Sequence, residues 1–366
     1  MSEIFTLEKL FKAYNDCKKG KKNTINALTF EINREKNLVS ILEELLSRTY
    51  IPSRHICFIV THPTPREIFA ADFRDRIVHH LFYNELHLFC DKGFIHHSYA
   101  NRLNKGTHRA VKAIEEFVRH NPDGYYLKLD VRSFFPSINR QILFKLVERN
   151  IYLCMENDIE KSRWDFVEKD KWKEEMIYLS HMIIFYDPTK NFIYKGDPKL
   201  IKLIPHHKSL LFSGIDKGLP IGNLTSQFFA NIYLNLLDQF VTRTLMCRNY
   251  ARYVDDFIMI DGDKSKLLSY INYIREFLKE RLDLDLHPDK ITLQHVSKGI
   301  DFLGYFINPT HTLVRQSVVR RFKNKMYKQR NNDDGFFSID DIPMIRSYLG
   351  HFGHADSYNL RRGLMG

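Results

Sequence analysis

The chain has 366 residues, of which 44% are hydrophobic and 13% aromatic, so it can bury a large core in one domain or in two or three subdomains. Lysine and arginine number 55 against 44 aspartates and glutamates, and the net charge of +11 favours a polyanionic partner such as nucleic acid. The five cysteines include no CxxC pair, which argues against a zinc or redox motif and favours a reducing cytoplasm. No signal peptide opens the chain, and no apolar run reaches the roughly 18 residues that span a bilayer. We therefore expect a soluble, internal protein.

The first part of the chain predicts helices around a strand. Apolar residues recur at helical spacing through residues 1–50, and residues 51–62 look like a strand. Two further helical segments are expected within residues 66–119. The run YYLKLD, residues 125–130, then predicts a strand that ends in a carboxylate.

The second part alternates helices and strands around an irregular stretch. A helix is expected at about 139–150, entered through a turn and cap at 136–139. Residues 151–217 look irregular, and we interpret about 151–212 as an insertion and not as an independent domain. The remaining expected elements are a helix after Asn223, a strand-turn-strand at 251–260, a helix at about 264–282, strands at 290–295 and 300–307, and a basic, mostly helical tail at 315–366.

The stretch ARYVDDFIMI, residues 251–260, places Asp255 and Asp256 between apolar runs that are typical of buried strand. At a bend, both side chains would lie at one sheet edge, where their mutual repulsion needs a neutralising cation. Mg²⁺ fits, since it is usually held by one or two carboxylates together with water and substrate phosphates. A two-metal site also needs a carboxylate from another element. Asp130 is the candidate, and an ordinary turn residue is the alternative at that position.

Five motifs follow one another in an order that resembles the reverse transcriptases. They are LKLDVRSFFPSI from residue 127, GLPIGNLTSQ from 218, YVDD from 253, HPDKI from 287 and DFLGY from 301. The resemblance covers about residues 60–310 and implies an α+β, right-hand polymerase fold whose palm is an antiparallel sheet with helices on one face. The implied parts are an N-terminal helical extension at 1–60, fingers at 61–123, a palm at 124–308 with the insertion at about 151–212, and a short helical thumb at 309–366.

The resemblance implies a two-metal mechanism of DNA synthesis. Asp130 and Asp255 would hold two Mg²⁺ ions, with Mn²⁺ as an alternative, and the backbone carbonyl of Val131 would complete a coordination sphere. Asp256 would support the second ion or orient the other ligands. One ion would lower the pKa of the primer 3′-hydroxyl, and both would stabilise charge on the α-phosphate. Lys290 resembles the lysine that protonates the pyrophosphate leaving group, and an ordinary surface lysine is the alternative.

Other residues match the family's substrate contacts. Phe135 stands where the family has a bulky aromatic that excludes a ribose 2′-hydroxyl, and a core phenylalanine is the alternative. Ile221 replaces a glutamine that most members have, so the incoming nucleotide should be held more loosely and fidelity should be lower. The triphosphate would be bound by Arg66, Arg74 and Arg76, although Asp75 is a competing partner for these arginines. The resemblance also implies that Gly222 and Gln227 contact the nucleotide, and that Tyr253 and Gly304 contact the primer.

Two bacterial groups within the family share this pattern. IGNLTSQ, FRDRIVHH and SYLGHFGHADSYNL are similar to the reverse transcriptases of diversity-generating retroelements, which make error-prone cDNA. The insertion at about 151–212 departs from that group and favours the defence-associated reverse transcriptases that act against phage. We expect such an enzyme to copy a non-coding RNA template into a DNA product from deoxynucleoside triphosphates. An accessory protein or a second copy is the expected partner, in the bacterial cytoplasm and away from membranes.

Two other functions compete with RNA-directed DNA synthesis. A catalytically silent RNA-binding scaffold with a retained polymerase fold would need no clustered charges, so the intact Asp130, Asp255 and Asp256 disfavour it. An RNA-templated RNA polymerase would share the palm, but Phe135 as a sugar gate argues against it.

Overall fold

The computed structural model describes residues 4–20, 24–62, 64–157, 165–332 and 341–365. Residues 158–164 of the predicted insertion and 333–340 of the predicted thumb lie outside the described residues. Across the described ranges, no helix combines the length and the apolar character that crossing a membrane requires.

The described residues form helices and short strands. The α-helices are α1 (Leu7–Lys18), α2 (Ile25–Ile32), α3 (Arg34–Leu46), α4 (Phe73–Gly93), α5 (Thr107–His120), α6 (Phe134–Ser137), α7 (Arg140–Asn157), α8 (Phe166–Phe185), α9 (Leu224–Gln239), α10 (Lys264–Leu282), α11 (Gln316–Asn332), α12 (Ile342–Phe352) and α13 (Tyr358–Met365). The strands are β1 (His55–Val60), β2 (Arg66–Ala70), β3 (Tyr125–Asp130), β4 (Phe192–Tyr194), β5 (Asn249–Tyr253), β6 (Asp256–Asp261), β7 (Thr292–His295), β8 (Ile300–Phe302), β9 (Tyr305–Ile307) and β10 (Thr312–Val314).

The strands form sheets ordered β2-β1-β4, β5-β6-β3-β7 and β10-β9-β8. All neighbouring pairs are antiparallel except β1 and β4, which are parallel. The mixture of helices with mainly antiparallel sheets confirms the α+β class.

Short polar side chains fix where helices begin. The Asn139 side chain accepts hydrogen bonds from the backbone N–H groups of Gln141 and Ile142, at 3.1 and 3.2 Å, and so caps α7 where a cap was predicted. Asp165 forms a reciprocal capping box with Glu168 at the start of α8. A cap of this kind stabilises a helix by about 1 kcal/mol.

The first of two compact units comprises Met1–Ile95, Val131–Gln239 and Arg275–His287. Its helix α4 packs against α1 and α9. The rings of Phe82 and Phe229 meet between α4 and α9, with centroids 5.6 Å apart.

The predicted insertion is built into this first unit. Strand β4 adds a third strand to the β1–β2 hairpin, and α8 packs against α7. The buried carboxylate of Glu67, on β2, accepts hydrogen bonds from the Ser209 hydroxyl at 3.0 Å and from the Leu210 N–H at 2.7 Å. The expectation of an irregular stretch is therefore wrong for residues 151–157, where α7 continues to Asn157, and for residues 166–185, which form a 20-residue helix.

The second unit comprises His96–Asp130, Phe240–Ile274 and Pro288–Gly366. On one face of its four-stranded sheet, Ile258 and Ile260 pack with Ile114 and Phe117 of α5 in one buried cluster. Each such side chain stabilises the fold by about 1.5–3 kcal/mol when it is fully buried. The side chains on the other face of β3 and β6 are also buried, namely Leu127, Leu129, Phe257 and Met259. Both central strands are therefore enclosed on two sides.

Three short stretches of the chain differ from the prediction. Residues 66–70 form strand β2 and not helix, because they pair with β1 in a hairpin. Residues 300–307 form the hairpin β8–β9, which turns at Leu303 and Gly304 with positive φ angles of 49° and 91°. Strand β10 precedes the helical tail and was not predicted.

Candidate active site

A tight turn of Val254 and Asp255 joins β5 to β6, with Tyr253 paired to Asp256 on either side of it. Val254 has φ 56°, a left-handed conformation that is strained for a residue branched at Cβ. Asp255 therefore lies in the turn, whereas Asp256 is the first residue of β6. The expectation that both aspartates occupy the bend holds for Asp255 only, since two residues suffice for a turn of this type.

Strand β3 brings the third carboxylate to the same place. Asp130 is its last residue and lies directly opposite Asp256 in the antiparallel register. Directly opposite residues project from the same face of a sheet, with Cβ atoms about 4.5–5.5 Å apart. Asp130, Asp255 and Asp256 thus meet at one edge of the second unit.

The three carboxylates repel one another in a partly buried setting. Burial, reinforced by the nearby charge of Asp130, raises the pKa of Asp255 to about 7. Burial also raises the pKa of Asp256, although the ammonium of Lys128 opposes that shift. The site is therefore short of positive charge.

Two lysines supply part of the missing charge. The Lys290 ammonium donates to Asp130 Oδ2 at 2.8 Å, and its side chain is 51% exposed, so this contact can exchange with solvent or substrate. The Lys128 ammonium lies 3.5 Å from Asp256 Oδ2 and donates to the Asp301 carbonyl at 3.0 Å. Lys128 was not predicted as a site residue. Its position two residues before Asp130 places it on the same strand face and is the signal that could have identified it.

The donor set fits divalent cations that prefer oxygen. Among the described residues, no three histidine, cysteine, aspartate or glutamate side chains already form a group that could hold a metal ion. Mg²⁺, however, usually takes only one or two carboxylates from the protein and completes its shell with water and substrate phosphates. Asp130 and Asp255 offer such a pair, and the raised pKa of Asp255 shows that added positive charge would be favourable there.

The predicted primer contacts also lie in the second unit. Tyr253 is half-buried beside Asp256, and its hydroxyl accepts a hydrogen bond from Thr107 Oγ1 at 3.3 Å. Gly304 lies in the β8–β9 turn, where a Cβ atom would stand 3.1 Å from Cε1 of His351 on α12. Close approach and positive φ together require glycine at this position.

The predicted triphosphate contacts lie in the first unit. Arg66 is exposed at the start of β2. Arg74 forms an ion pair with Glu44 and donates to Ser53 Oγ at 3.1 Å, and Arg76 donates to the Ala71 carbonyl at 2.8 Å. Arg66 is thus the most accessible of the three arginines.

Asp75, the expected competitor for these arginines, is fully buried. Its carboxylate accepts hydrogen bonds from the Tyr50 hydroxyl at 2.9 Å and from the Ser53 N–H at 2.8 Å, and it lies 3.7 Å from Arg74 Nη1. Asp75 therefore pairs with Arg74 and leaves Arg66 and Arg76 without competition from its charge.

The segment GLPIGN is bonded to the end of β2. The Ile221 carbonyl accepts from the Phe69 N–H at 2.9 Å, and Asn223 Oδ1 accepts from the Ala71 N–H at 3.0 Å. Between them, Gly222 has φ 125°, and a Cβ atom there would lie 2.8 Å from Cγ2 of Ile68. The Asn223 contact was not predicted and follows only from the fold.

Three other predicted residues also belong to the first unit. Phe135 is half-buried on α6, whereas its neighbour Phe134 is buried. Gln227 is half-buried in the first turn of α9. Val131 directly follows Asp130 and forms an isolated antiparallel bridge with Leu286.

Comparison with solved structures finds telomerases. One is telomerase from Candida albicans in complex with a fragment of telomeric RNA, with a TM-score of 0.48 and 13% identity over 75% of this chain and 50% of that chain. Another is apo telomerase from Candida tropicalis, with a TM-score of 0.48 and 14% identity over 72% of this chain and 55% of that chain. The chain thus spans about half the length of these structures.

Comparison by sequence finds distant curated relatives and a family. Protein YkfC of Escherichia coli is 22% identical over 329 residues, which cover 80% of this chain and 75% of that protein. A putative COX1/OXI3 intron 2 protein of Saccharomyces cerevisiae is 21% identical over 342 residues, which cover 82% of this chain and 38% of that protein. Residues 63–307 match the family described as reverse transcriptase (RNA-dependent DNA polymerase). This chain therefore belongs to the reverse transcriptases, the RNA-directed DNA polymerases.

Proposed function

We propose that this protein extends a primer on an RNA template with deoxynucleoside triphosphates, and that Asp130, Asp255 and Asp256 form its catalytic centre. The strand register supports this assignment most directly, since it sets Asp130 opposite Asp256 and beside the turn that carries Asp255. A silent scaffold would be more stable without three clustered carboxylates, so their presence favours catalysis.

The side chains would divide the work of nucleotidyl transfer. Asp130 and Asp255 would hold two divalent cations, which we propose are Mg²⁺ with Mn²⁺ as a substitute, and the ions would supply charge stabilisation at the reacting phosphate. Lys290 would leave Asp130 and donate a proton to the departing pyrophosphate, as its exposure allows. Lys128 would stay beside Asp256 and keep that carboxylate ionised.

Substrate selection would depend on residues of the first unit. Phe135 would exclude a ribose 2′-hydroxyl, and its half-buried ring supports this role better than that of a core residue. Arg66 would bind the triphosphate, for which its exposure suits it best among the three arginines. Ile221 cannot hydrogen-bond the nucleotide through its side chain, so we propose low fidelity.

For the biological role we propose antiphage defence, with a non-coding RNA as template and an accessory protein or a second copy as partner in the bacterial cytoplasm. The insertion at 151–212 supports defence over a diversity-generating retroelement, because it departs from the retroelement pattern. The boundaries of fingers, palm and thumb remain predictions.

Primer extension on an RNA template tests the catalytic centre. Asp255→Asn and Asp130→Asn should each lower the rate by about 10³-fold or more, since several kcal/mol of charge stabilisation are lost. Asp261→Asn is the matched control, because Asp261 lies at the far end of β6 and contacts Lys266 at 2.7 Å. Failure of the wild type to extend a primer, with its co-purified RNA present, would refute the proposal. Sequencing that RNA and its DNA product, together with a phage challenge, separates defence from retroelement activity.

A further inference from the structure

Arg252 carries a charge that the proposed chemistry does not use. It lies on β5, two residues before the Val254–Asp255 turn, and its side chain is 0% exposed. Removing a guanidinium from water is unfavourable unless well-placed hydrogen bonds compensate. A buried arginine next to a catalytic turn therefore calls for a specific role.

The guanidinium bonds the turn on one side and a neighbouring segment on the other. Nη1 donates to the Val254 carbonyl at 2.9 Å, and Nη2 donates to Ser98 Oγ at 3.1 Å. The backbone is engaged as well, because the Arg252 N–H donates to the His97 carbonyl at 2.9 Å and the Tyr99 N–H donates to the Arg252 carbonyl at 3.0 Å. Residues 97–99 thus lie alongside β5 and hold Arg252 at both its main chain and its side chain.

The bond to Val254 acts on the peptide that carries Asp255. The peptide group is planar, so fixing the Val254 carbonyl oxygen also fixes the Asp255 nitrogen and restricts its Cα. The left-handed conformation of Val254 is unfavourable for a residue branched at Cβ and persists only where surrounding contacts enforce it. A charge-assisted hydrogen bond is roughly twice as strong as a neutral one, so the bond from Arg252 can enforce this conformation.

We propose that Arg252 is a positioning residue, which holds the Val254–Asp255 peptide in its strained conformation and so sets the place of the Asp255 carboxylate relative to Asp130. Ser98 anchors the guanidinium from the opposite side. Lysine cannot replace arginine here, because only the planar fork presents two N–H groups in two fixed directions. The inference rests on the proposed polymerase function for its kinetic readout but not for its metal-binding readout.

The test compares Arg252→Lys and Ser98→Ala with wild type, and uses Arg248→Lys, at an exposed arginine that precedes β5, as the matched control. For Arg252→Lys we expect kcat to fall by about 10²-fold, which is the effect of a misplacement near 1 Å. KM for the deoxynucleotide should stay within about 3-fold, because the nucleotide contacts are intact. Ser98→Ala removes one anchoring hydrogen bond and should lower kcat by about 3–10-fold.

Direct Mn²⁺ titration, followed by electron paramagnetic resonance, provides a readout that does not depend on turnover. Loss of a residue that orients a metal ligand typically weakens metal affinity by about 10–100-fold, and we expect this for Arg252→Lys. Thermal unfolding of each variant shows whether it is folded. If Arg252→Lys does not fold, Ser98→Ala tests the same hydrogen-bond network, because it weakens the position of Arg252 and keeps the arginine side chain in the buried site.

Chemical rescue separates positioning from general stability. Arg252→Ala leaves a space of guanidinium shape, so guanidinium at low, non-denaturing concentration should restore part of its kcat, whereas Asp255→Ala should not respond. Wild-type kcat and Mn²⁺ affinity in folded Arg252→Lys and Ser98→Ala would overturn the inference. A wild type that binds Mn²⁺ in an Arg252-dependent way but extends no primer would refute the proposed function and leave the positioning role standing.

Discussion

Replacement of Glu67 should detach the insertion from the β1–β2 hairpin. Glu67→Ala leaves the Ser209 hydroxyl and the Leu210 N–H without their acceptor. Each unsatisfied buried group costs about 1–3 kcal/mol, so for these two groups we expect a loss of roughly 2–6 kcal/mol in the contact between β2 and residues 209–210. Glu67→Gln retains an acceptor of the same shape and should cost much less.

The pH dependence of this contact follows from the shifted pKa of Glu67. Burial raises that pKa above its ordinary value of 4.5, against the lowering effect of the Leu210 and Ser209 hydrogen bonds. When the pH rises through the window above 4.5, the unfolded state therefore loses its proton before the folded state does, and the wild type loses stability. Below that window the carboxyl is neutral in both states. The free energy of unfolding of Glu67→Gln, relative to that of the wild type, should consequently be higher at pH 8 than at pH 4.

Hydrogen exchange of residues 204–213, followed by mass spectrometry, measures the contact locally. Faster exchange there in Glu67→Ala, with little change in Glu67→Gln and none in α5, is the expected result. The exchange rate of residues 204–213 in Ser209→Ala should be intermediate between those in Glu67→Ala and Glu67→Gln. Unchanged protection in Glu67→Ala would show that the buried carboxylate does not hold the insertion, and a Glu67→Gln effect independent of pH would contradict the charge argument.

Three further substitutions test the site. Phe135→Ala should raise incorporation of ribonucleotides relative to deoxynucleotides, measured by competition in primer extension. An unchanged ratio would show that Phe135 only packs in the core. Ile221→Gln should alter the error spectrum of the cDNA, and an identical spectrum would contradict the proposed loose pocket. Gly304→Ala should destabilise the packing of the β8–β9 turn on His351 by about 1–3 kcal/mol and weaken primer affinity, because φ is 91° and the new Cβ would stand 3.1 Å from the ring. Gly350→Ala is its control, since a Cβ there meets no atom within 4 Å, and equal thermal shifts for both variants would refute the steric argument.

The carboxylate edge could be predicted because its signal is local. Apolar strand runs around Asp255 and before Asp130 indicate where two strands end, and the order of the motifs indicates that these ends meet. Lys128 carries the same period-two signal and could have been included. The remaining features depend on tertiary contacts: β2 is a strand only through pairing with β1, and no spacing in the sequence shows that Arg252 bonds the Val254 carbonyl.

Helix α8 of the insertion could not be predicted from the sequence for a different reason. Helix α8 begins with a charged segment and ends in a nearly continuous apolar run, so its apolar residues are not confined to the single face that predicts an amphipathic helix. The buried Trp172, Met176 and Leu179 nevertheless give it a packed side, and their fit against the neighbouring helix decides its conformation.

The pairing of β3 with β6 makes the proposed catalytic centre an all-or-none assembly. A slip of one residue would put Phe257 opposite Asp130 and exchange the two enclosed faces of β6, so that every side chain would meet the wrong neighbours. Since strands pair only in whole-residue registers, no intermediate arrangement can retain part of the activity. During heating or denaturant titration, activity should therefore vanish in step with the unfolding of this strand pair and not decline gradually beforehand. An inhibitor that separates β3 from β6 would therefore abolish the activity of each molecule it binds and would not merely reduce it.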